Sequence, residues 1–210
     1  MLSMGELIVF ADRKVKAKGL DKSNKPDENK VKNYFFCEDY SNLSLLTASF
    51  DLAVNPAEKL TLFYPGCGAD ILFPLKYLEK IFPTVTEINL VFNDFDNNLN
   101  LIKTVLDDVG VSFAEEKNNT IHFYWNNQLI YLQFLQGNVF EIELPKFDIY
   151  FEKAFRIMKS YHPEYENKIF SKLKPQGILI SDSGFQEFPL KKLKVSKKLS
   201  AYGEMIIGVK

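Results

Sequence analysis

The sequence predicts an α/β domain built on a mostly parallel seven-stranded sheet, with helices on both faces and an antiparallel last strand. From Leu60 onward, short β-rich apolar runs alternate with segments of helical periodicity, which is the pattern of βα units. Residues 190–210 hold two strand-like segments with no room for a helix between them. These two strands must therefore run antiparallel to each other.

The chain length is that of one domain. A chain of 210 residues can bury a large single core, and no linker divides it. We expect a single domain over residues 1–210, with 1–55 as an N-terminal extension and 56–210 as the core. A flexible loop is expected at about 12–32, which is charged and contains Gly and Pro. The segment at 34–59 predicts one or two helices, ended by Asn55-Pro56.

The first two βα units are expected between residues 60 and 110. After the strand at 60–64, a helix carries four apolar residues at helical spacing: Ile71, Leu75, Leu78 and Phe82. Pro74 fits this helix only in its first turn. A second strand at 88–94 leads to a second amphipathic helix, which Gly110 should end as a left-handed cap.

The second half begins with a predicted hairpin, whose arms at 121–125 and 128–135 are joined by a tight turn at Asn126-Asn127. Core strands are predicted at 147–151 and 178–181. Between them, Pro163 should occupy the first position of a helix. The basic segment at 191–198 is typical of a solvated edge strand.

Charge and cysteine content exclude several classes of protein. A net charge of −1 gives no broad field that would attract nucleic acid or acidic lipid. Cys37 and Cys67 lie too far apart for a CxxC motif, so neither a metal site nor a disulfide framework is indicated. The apolar run at 7–11 is too short for a signal peptide, and no run approaches a membrane span. We expect a soluble, cytoplasmic protein without a membrane or nucleic-acid partner.

A glycine-rich turn, FYPGCGAD at 63–70, joins the first strand to the first helix. Glycine at this edge of a parallel sheet lets a ligand touch the backbone, although Gly66 and Gly68 could also simply form a tight turn. The turn lacks the third glycine of the dinucleotide fingerprint, and it places the negative charge of Asp70 at the start of the helix. A pyrophosphate at the helix start is therefore disfavoured, because the two negative charges would repel.

Five segments resemble, in order, the motifs of class I S-adenosylmethionine-dependent methyltransferases, which have a Rossmann-like fold. LTLFYPGCGAD at 60–70 resembles the first motif, LVFNDFD at 90–96 the second, LQGNVFEI at 135–142 the third and FDIYFEKAF at 147–155 the fourth. LKPQGILIS at 173–181 is similar to the passage into the fifth strand. The resemblance covers about residues 55–210, and the order of the motifs is more specific than any one of them.

The resemblance implies S-adenosylmethionine as cofactor, an unidentified methyl acceptor and a set of cofactor-binding residues. The methionine and ribose side would be lined by Tyr64, Pro65, Gly66, Cys67 and Gly68. Asp94 would accept both ribose hydroxyls, since a carboxylate can take two hydrogen bonds at once. Phe95 would pack on the adenine, Asn138 and Val139 would bracket it, and Glu152 would lie near the methyl group.

The sequence departs from the family pattern at three points. Tyr64 replaces an acidic residue and Asp70 replaces the third glycine, so Asp70 either holds the methionine ammonium or caps the helix. Residues 152–155 lack the Pro-Pro motif of nucleobase amino methylases, which disfavours that substrate. No catalytic residue is assigned, because displacement at a sulfonium requires alignment more than acid–base catalysis.

Other interpretations remain open from the sequence. Asp94 or Asp96 could simply be the N-cap of the second helix. His162 could be a general base or a helix cap, and Cys67 is typical of a small buried filler. A noncatalytic protein that retains the fold is the main alternative function. A nicotinamide-dependent reductase is disfavoured by the missing third glycine and by the terminal hairpin.

Overall fold

The described part of the chain comprises residues 14–46, 59–200 and 202–210 of a computed structural model. Its strands are β1 (Lys59–Pro65), β2 (Glu87–Asp94), β3 (Phe113–Glu116), β4 (Thr120–Trp125), β5 (Gln128–Gln136), β6 (Phe147–Glu152), β7 (Leu173–Ser181), β8 (Lys191–Lys192) and β9 (Ile206–Val209). Its helices are α1 (Glu28–Asn33), α2 (Cys37–Asn42), α3 (Leu72–Ile81), α4 (Leu99–Asp108), α5 (Arg156–Ser160) and α6 (Tyr165–Lys172), with 3₁₀ turns at Leu43–Leu46 and Lys197–Leu199.

The strands form one mixed sheet in the order β3-β4-β5-β2-β1-β6-β7-β9-β8. The five central strands, β5, β2, β1, β6 and β7, are parallel. The pairs on both flanks are antiparallel, and β9 lies antiparallel between β7 and β8 as predicted. The prediction of seven strands is wrong, because the sheet has nine. Strands β4 and β5 form the predicted hairpin, whereas β3, which extends the sheet beyond β4, was not predicted. The sequence of β3, FAEE, hides this strand since glutamate has a low strand propensity.

Helices cover both faces of the sheet, as predicted. In β1, Leu60, Leu62 and Tyr64 belong to the core cluster that includes buried residues of α3 and α4. The intervening Phe63 belongs to a second cluster, which includes Ile169 of α6. Because successive side chains of a strand point to opposite faces, these two clusters lie on opposite sides of the sheet.

The predicted starts and stops of the helices are confirmed in part. Pro74 is the third residue of α3 and thus lies in the first turn, and Gly110 follows α4 with a φ of +81°. Pro163 does not open α6, which begins at Tyr165 after a separate turn in which the Tyr165 N–H donates to His162. Helix α5 was not predicted, since its Ile157 is exposed and it presents no apolar face to the core.

The hairpin turn between β4 and β5 agrees with the prediction. Asn126 and Asn127 both have positive φ, which is the conformation of the tight turn expected between β4 and β5.

The charged loop near the N-terminus is shorter than predicted, because Asp27 caps α1 by accepting from the Asn29 and Lys30 N–H groups. Helix α2 and the 3₁₀ turn after it agree with the predicted edge helices. The run at 7–11 and Asn55-Pro56 lie outside the described residues.

None of the helices within the described ranges is long and apolar enough to cross a membrane.

We expect Gly110→Ala to lower the free energy of unfolding by about 1–2 kcal/mol, because alanine pays the cost of the left-handed conformation. A Cβ at this position would contact no atom within 4 Å, so the cost would be backbone strain rather than a clash. Urea denaturation measures it. The matched control is Gly110→Asn, which tolerates positive φ and should lose less. Equal stability of the parent and both variants would contradict this interpretation.

Candidate functional site

The carboxyl ends of β1, β2 and β5 are joined by the side chain and backbone of Asn93. Its side-chain Nδ2 donates to the carbonyl oxygens of Leu135, at 2.8 Å, and Gly137, at 3.0 Å. Its own carbonyl accepts from the Cys67 N–H at 3.2 Å. Asn93 is only 1% exposed, so these bonds form away from water. Sequence reasoning missed this residue; the available signal was a polar amide directly after the apolar run at 90–92.

The two glycines of the turn after β1 have different surroundings. Gly66 and Gly68 have φ of +58° and +53°, the left-handed region that favours glycine. A Cβ on Gly66 would lie 2.7 Å from Cε2 of Phe155, whereas a Cβ on Gly68 would meet nothing within 4 Å. The close approach at Gly66 is thus made by the chain's own phenylalanine, and the backbone at Gly68 faces open space.

Asp94 binds the glycine turn directly. Its Oδ2 accepts from the Gly68 N–H at 2.7 Å, and its backbone carbonyl accepts from the Gly137 N–H at 2.8 Å. The N-cap of α4 is Asn98, so the alternative that Asp94 or Asp96 caps this helix is wrong. Asp94 is partly exposed and its carboxylate has lone pairs left for further donors.

An exposed aromatic ring and an amide flank Asp94 on the same edge. Phe95 directly follows β2 and is 74% exposed. Asn138 follows β5; its Oδ1 accepts from the Phe140 N–H at 3.2 Å, and its Nδ2 donates to Glu141 at 2.8 Å. Val139, by contrast, is buried in the core, so only its backbone can face a ligand.

At the start of α3, the buried Tyr64 is paired with the partly buried Asp70. The Tyr64 hydroxyl donates to Oδ2 of Asp70 at 3.0 Å, while Oδ1 accepts from the Phe73 N–H at 3.1 Å. Asp70 therefore caps the first turn of α3, which is one of its two predicted roles. Burial raises the pKa of the Asp70 carboxyl, and the positive charge of Lys153 opposes that shift.

The remaining residues of the turn are buried. Pro65 ends β1, and Cys67 is buried at 2% exposure. Burial raises the pKa of the Cys67 thiol, and the charges of Asp94 and Asp70 raise it further. These surroundings favour the protonated thiol over the thiolate, which agrees with the interpretation of Cys67 as a buried filler.

Glu152, at the end of β6, lies inside a buried ionic network. Its Oε1 pairs with Lys159 Nζ and accepts from the Ser181 hydroxyl, both at 2.5 Å, and its Oε2 accepts from Tyr150 at 2.6 Å. Lys159 also pairs with Glu166 at 2.8 Å. Burial raises the pKa of Glu152, and Lys159 opposes the shift. This network ties β6 to α5 and α6.

Beside this network lies a small cavity of about 10 Å³, room for about one water molecule. Its lining consists of Phe73, Tyr77, Phe151, Glu152, Lys153, Ile180, Asp182, Leu199 and Met205.

His162 does not cap a helix. Its ring stacks on Phe140 with 3.6 Å between ring centroids, and α6 has no side-chain cap, so the predicted cap role of His162 is wrong. Across the described residues, no group of three or more His, Cys, Asp or Glu side chains could hold a metal ion.

No protein-family model and no curated protein matches the chain. Among solved structures, it is similar to a putative S-adenosyl-L-methionine-dependent methyltransferase from Methanococcus maripaludis, with 14% identity over 84% of this chain and 66% of that one, at a TM-score of 0.45. It is also similar to YjhP from E. coli, with 13% identity over 70% and 49% of the two chains, at a TM-score of 0.42. The similarity to human N-acetylserotonin methyltransferase in complex with SAM covers 74% and 38%, with 16% identity and a TM-score of 0.40. The chain thus spans less than two thirds of the length of each.

We expect Gly66→Ala to lower the free energy of unfolding more than Gly68→Ala does. Both variants strain a left-handed residue by about 1–2 kcal/mol. Only the Gly66 variant also drives a methyl group into the buried ring of Phe155, which adds about 1–3 kcal/mol of overpacking. Urea denaturation of the two matched variants measures the difference, and an equal loss would show that Phe155 does not restrict this position.

Proposed function

We propose that this protein is an S-adenosylmethionine-dependent methyltransferase acting on an unidentified acceptor. The observation that carries the proposal is the direct bond between the Gly68 N–H and the Asp94 carboxylate. It places a bare backbone turn against an acidic side chain at the ends of two neighbouring parallel strands. Phe95 and Asn138 extend the same edge, so one row of residues offers every group that an adenosyl ligand needs.

Each residue in this row has a specific role in the proposed complex. Asp94 keeps lone pairs that accept the two ribose hydroxyls. The exposed ring of Phe95 offers a flat apolar surface to the adenine. The amide of Asn138 can both donate to and accept from the edge of a base. The open backbone at Gly68 leaves room for the ligand between them.

In this proposal the protein contributes alignment and exclusion of water rather than proton transfer. The bound cofactor would supply an electrophilic methyl group on a sulfonium with a good leaving group. The chain needs only to hold the acceptor in line and away from water. His162, the one candidate base, is stacked on Phe140. A base is required only where the acceptor atom carries a proton.

A noncatalytic protein that binds the same cofactor is the second candidate, and the state of Glu152 favours it. This carboxylate ends the strand nearest the expected methyl group, but both of its oxygens are bound within the protein, by Lys159, Ser181 and Tyr150. The neighbouring cavity holds about one water molecule, which is too small for an acceptor without movement. A nicotinamide-dependent reductase is less favoured, because β9 is inserted antiparallel beside β7.

Calorimetry with S-adenosylmethionine, S-adenosylhomocysteine and NAD tests the proposal. We expect both sulfur compounds to bind and NAD not to bind. Binding of NAD alone would favour a reductase and overturn the proposal. Transfer of a labelled methyl group from S-adenosylmethionine to a component of a cell extract would then separate the enzyme from a noncatalytic binding protein, which transfers none.

We expect Asp94→Ala to weaken binding of S-adenosylhomocysteine about tenfold to a hundredfold, because charge-assisted hydrogen bonds to the ribose are lost. The variant should also lose about 1 kcal/mol of folding stability, since the Gly68 N–H loses its acceptor. Calorimetry and urea denaturation measure the two effects.

The matched control is Asp96→Ala, which removes the same charge two residues away from an exposed position. Its affinity should equal that of the parent protein. Equal affinities of the Asp94 variant, the Asp96 variant and the parent would remove Asp94 from the site.

A further inference from the structure

Lys153 directly follows β6, and its side chain reaches across the site to the start of α3. Its Nζ lies 3.5 Å from the centroid of the Phe73 ring. Phe73 is the second residue of α3, and its N–H is the group bound by Asp70. The ammonium group of Lys153 is therefore held by a cation–π contact over the same helical turn that Asp70 caps.

The ammonium group of Lys153 carries N–H donors that no hydrogen bond within the described part of the chain uses. Among the residues that the structure describes, no acceptor lies within hydrogen-bond distance of its Nζ, and no carboxylate lies within 4.0 Å. The neighbouring Glu152 is instead paired with Lys159. An ammonium carries three N–H donors, and Lys153 is partly buried, so it is positioned to bind an anionic group that enters the site.

The carboxylates of Asp70 and Asp182 both interact electrostatically with Lys153. Asp70 lies at the turn below it, and the charge of Lys153 opposes the rise in pKa that burial imposes on both Asp70 and Asp182. Asp182 is held by the Ala154 N–H at 2.9 Å and by the Ser183 hydroxyl at 3.0 Å. Asp70 is oriented by Tyr64 and Phe73, and each of its oxygens retains a lone pair.

We propose that Lys153 binds the α-carboxylate of the cofactor's amino-acid end, with Asp70 beside it binding the α-ammonium. An α-amino acid carries its opposite charges one carbon apart, so it is matched by a cation and an anion held side by side on rigid elements. Lys153 lies over the first turn of α3, directly after the glycine turn, which favours the cofactor over the methyl acceptor as the source of the anion. This inference rests on the proposed function.

Calorimetry with two ligands tests the proposal: S-adenosylhomocysteine and its decarboxylated form, which keeps the amine. Lys153→Met should weaken S-adenosylhomocysteine about tenfold to a hundredfold and leave the decarboxylated ligand within about twofold of the parent. Lys80→Met is the matched control, because it removes the same charge from an exposed position at the other end of α3. It should bind both ligands like the parent. A thermal denaturation curve checks that each variant is folded.

Asp70→Asn supplies the complementary arm, since it keeps an acceptor for the Phe73 N–H but removes the charge. It should weaken S-adenosylhomocysteine and leave an analogue that lacks the amino group unaffected. Unchanged affinity of Lys153→Met for S-adenosylhomocysteine would overturn the assignment of Lys153, as would equal weakening of both ligands. If the parent protein binds no S-adenosylhomocysteine at all, the proposed function itself fails.

Discussion

The buried amide of Asn93 is the interaction on which the candidate site depends. Its two N–H groups bind carbonyls at the end of β5, and its carbonyl receives the N–H of the turn after β1. With only 1% of its surface exposed, no water can replace these partners. Since a buried carbonyl left without a donor is costly, this residue fixes how the three strand ends meet.

The alternation of side-chain directions along β2 explains how the buried amide of Asn93 positions the candidate site. Successive side chains of a strand point to opposite sides, so when Asn93 points inward the next residue, Asp94, is presented at the open edge. Asp94 then fixes the glycine turn through Gly68, and its carbonyl binds the Gly137 N–H before Asn138. One strand end thus sets the positions of the backbone turn, the carboxylate and the amide.

Periodicity and turn chemistry predicted the elements whose residues carry a local signal. The apolar face of α3, the left-handed Gly110 and the Asn126-Asn127 turn all follow from local rules. The sequence did not reveal β3, which is held by pairing with β4 in spite of its glutamates. It also did not reveal the bond from Tyr64 to Asp70 or the reach of Lys153 to Phe73. Those contacts depend on which strands become neighbours, which single-sequence patterns do not encode.

The most direct test of the central claim is an NMR titration of the amide signals with S-adenosylhomocysteine. If the strand ends joined by Asn93 form the cofactor site, the largest shifts will fall on three short segments: Gly66–Gly68, Asp94–Phe95 and Gly137–Val139. The amides of the outer strands β3 and β8 will stay unchanged. Shifts that spare Gly68, Asp94 and Asn138, or that concentrate on the outer strands, would contradict the account.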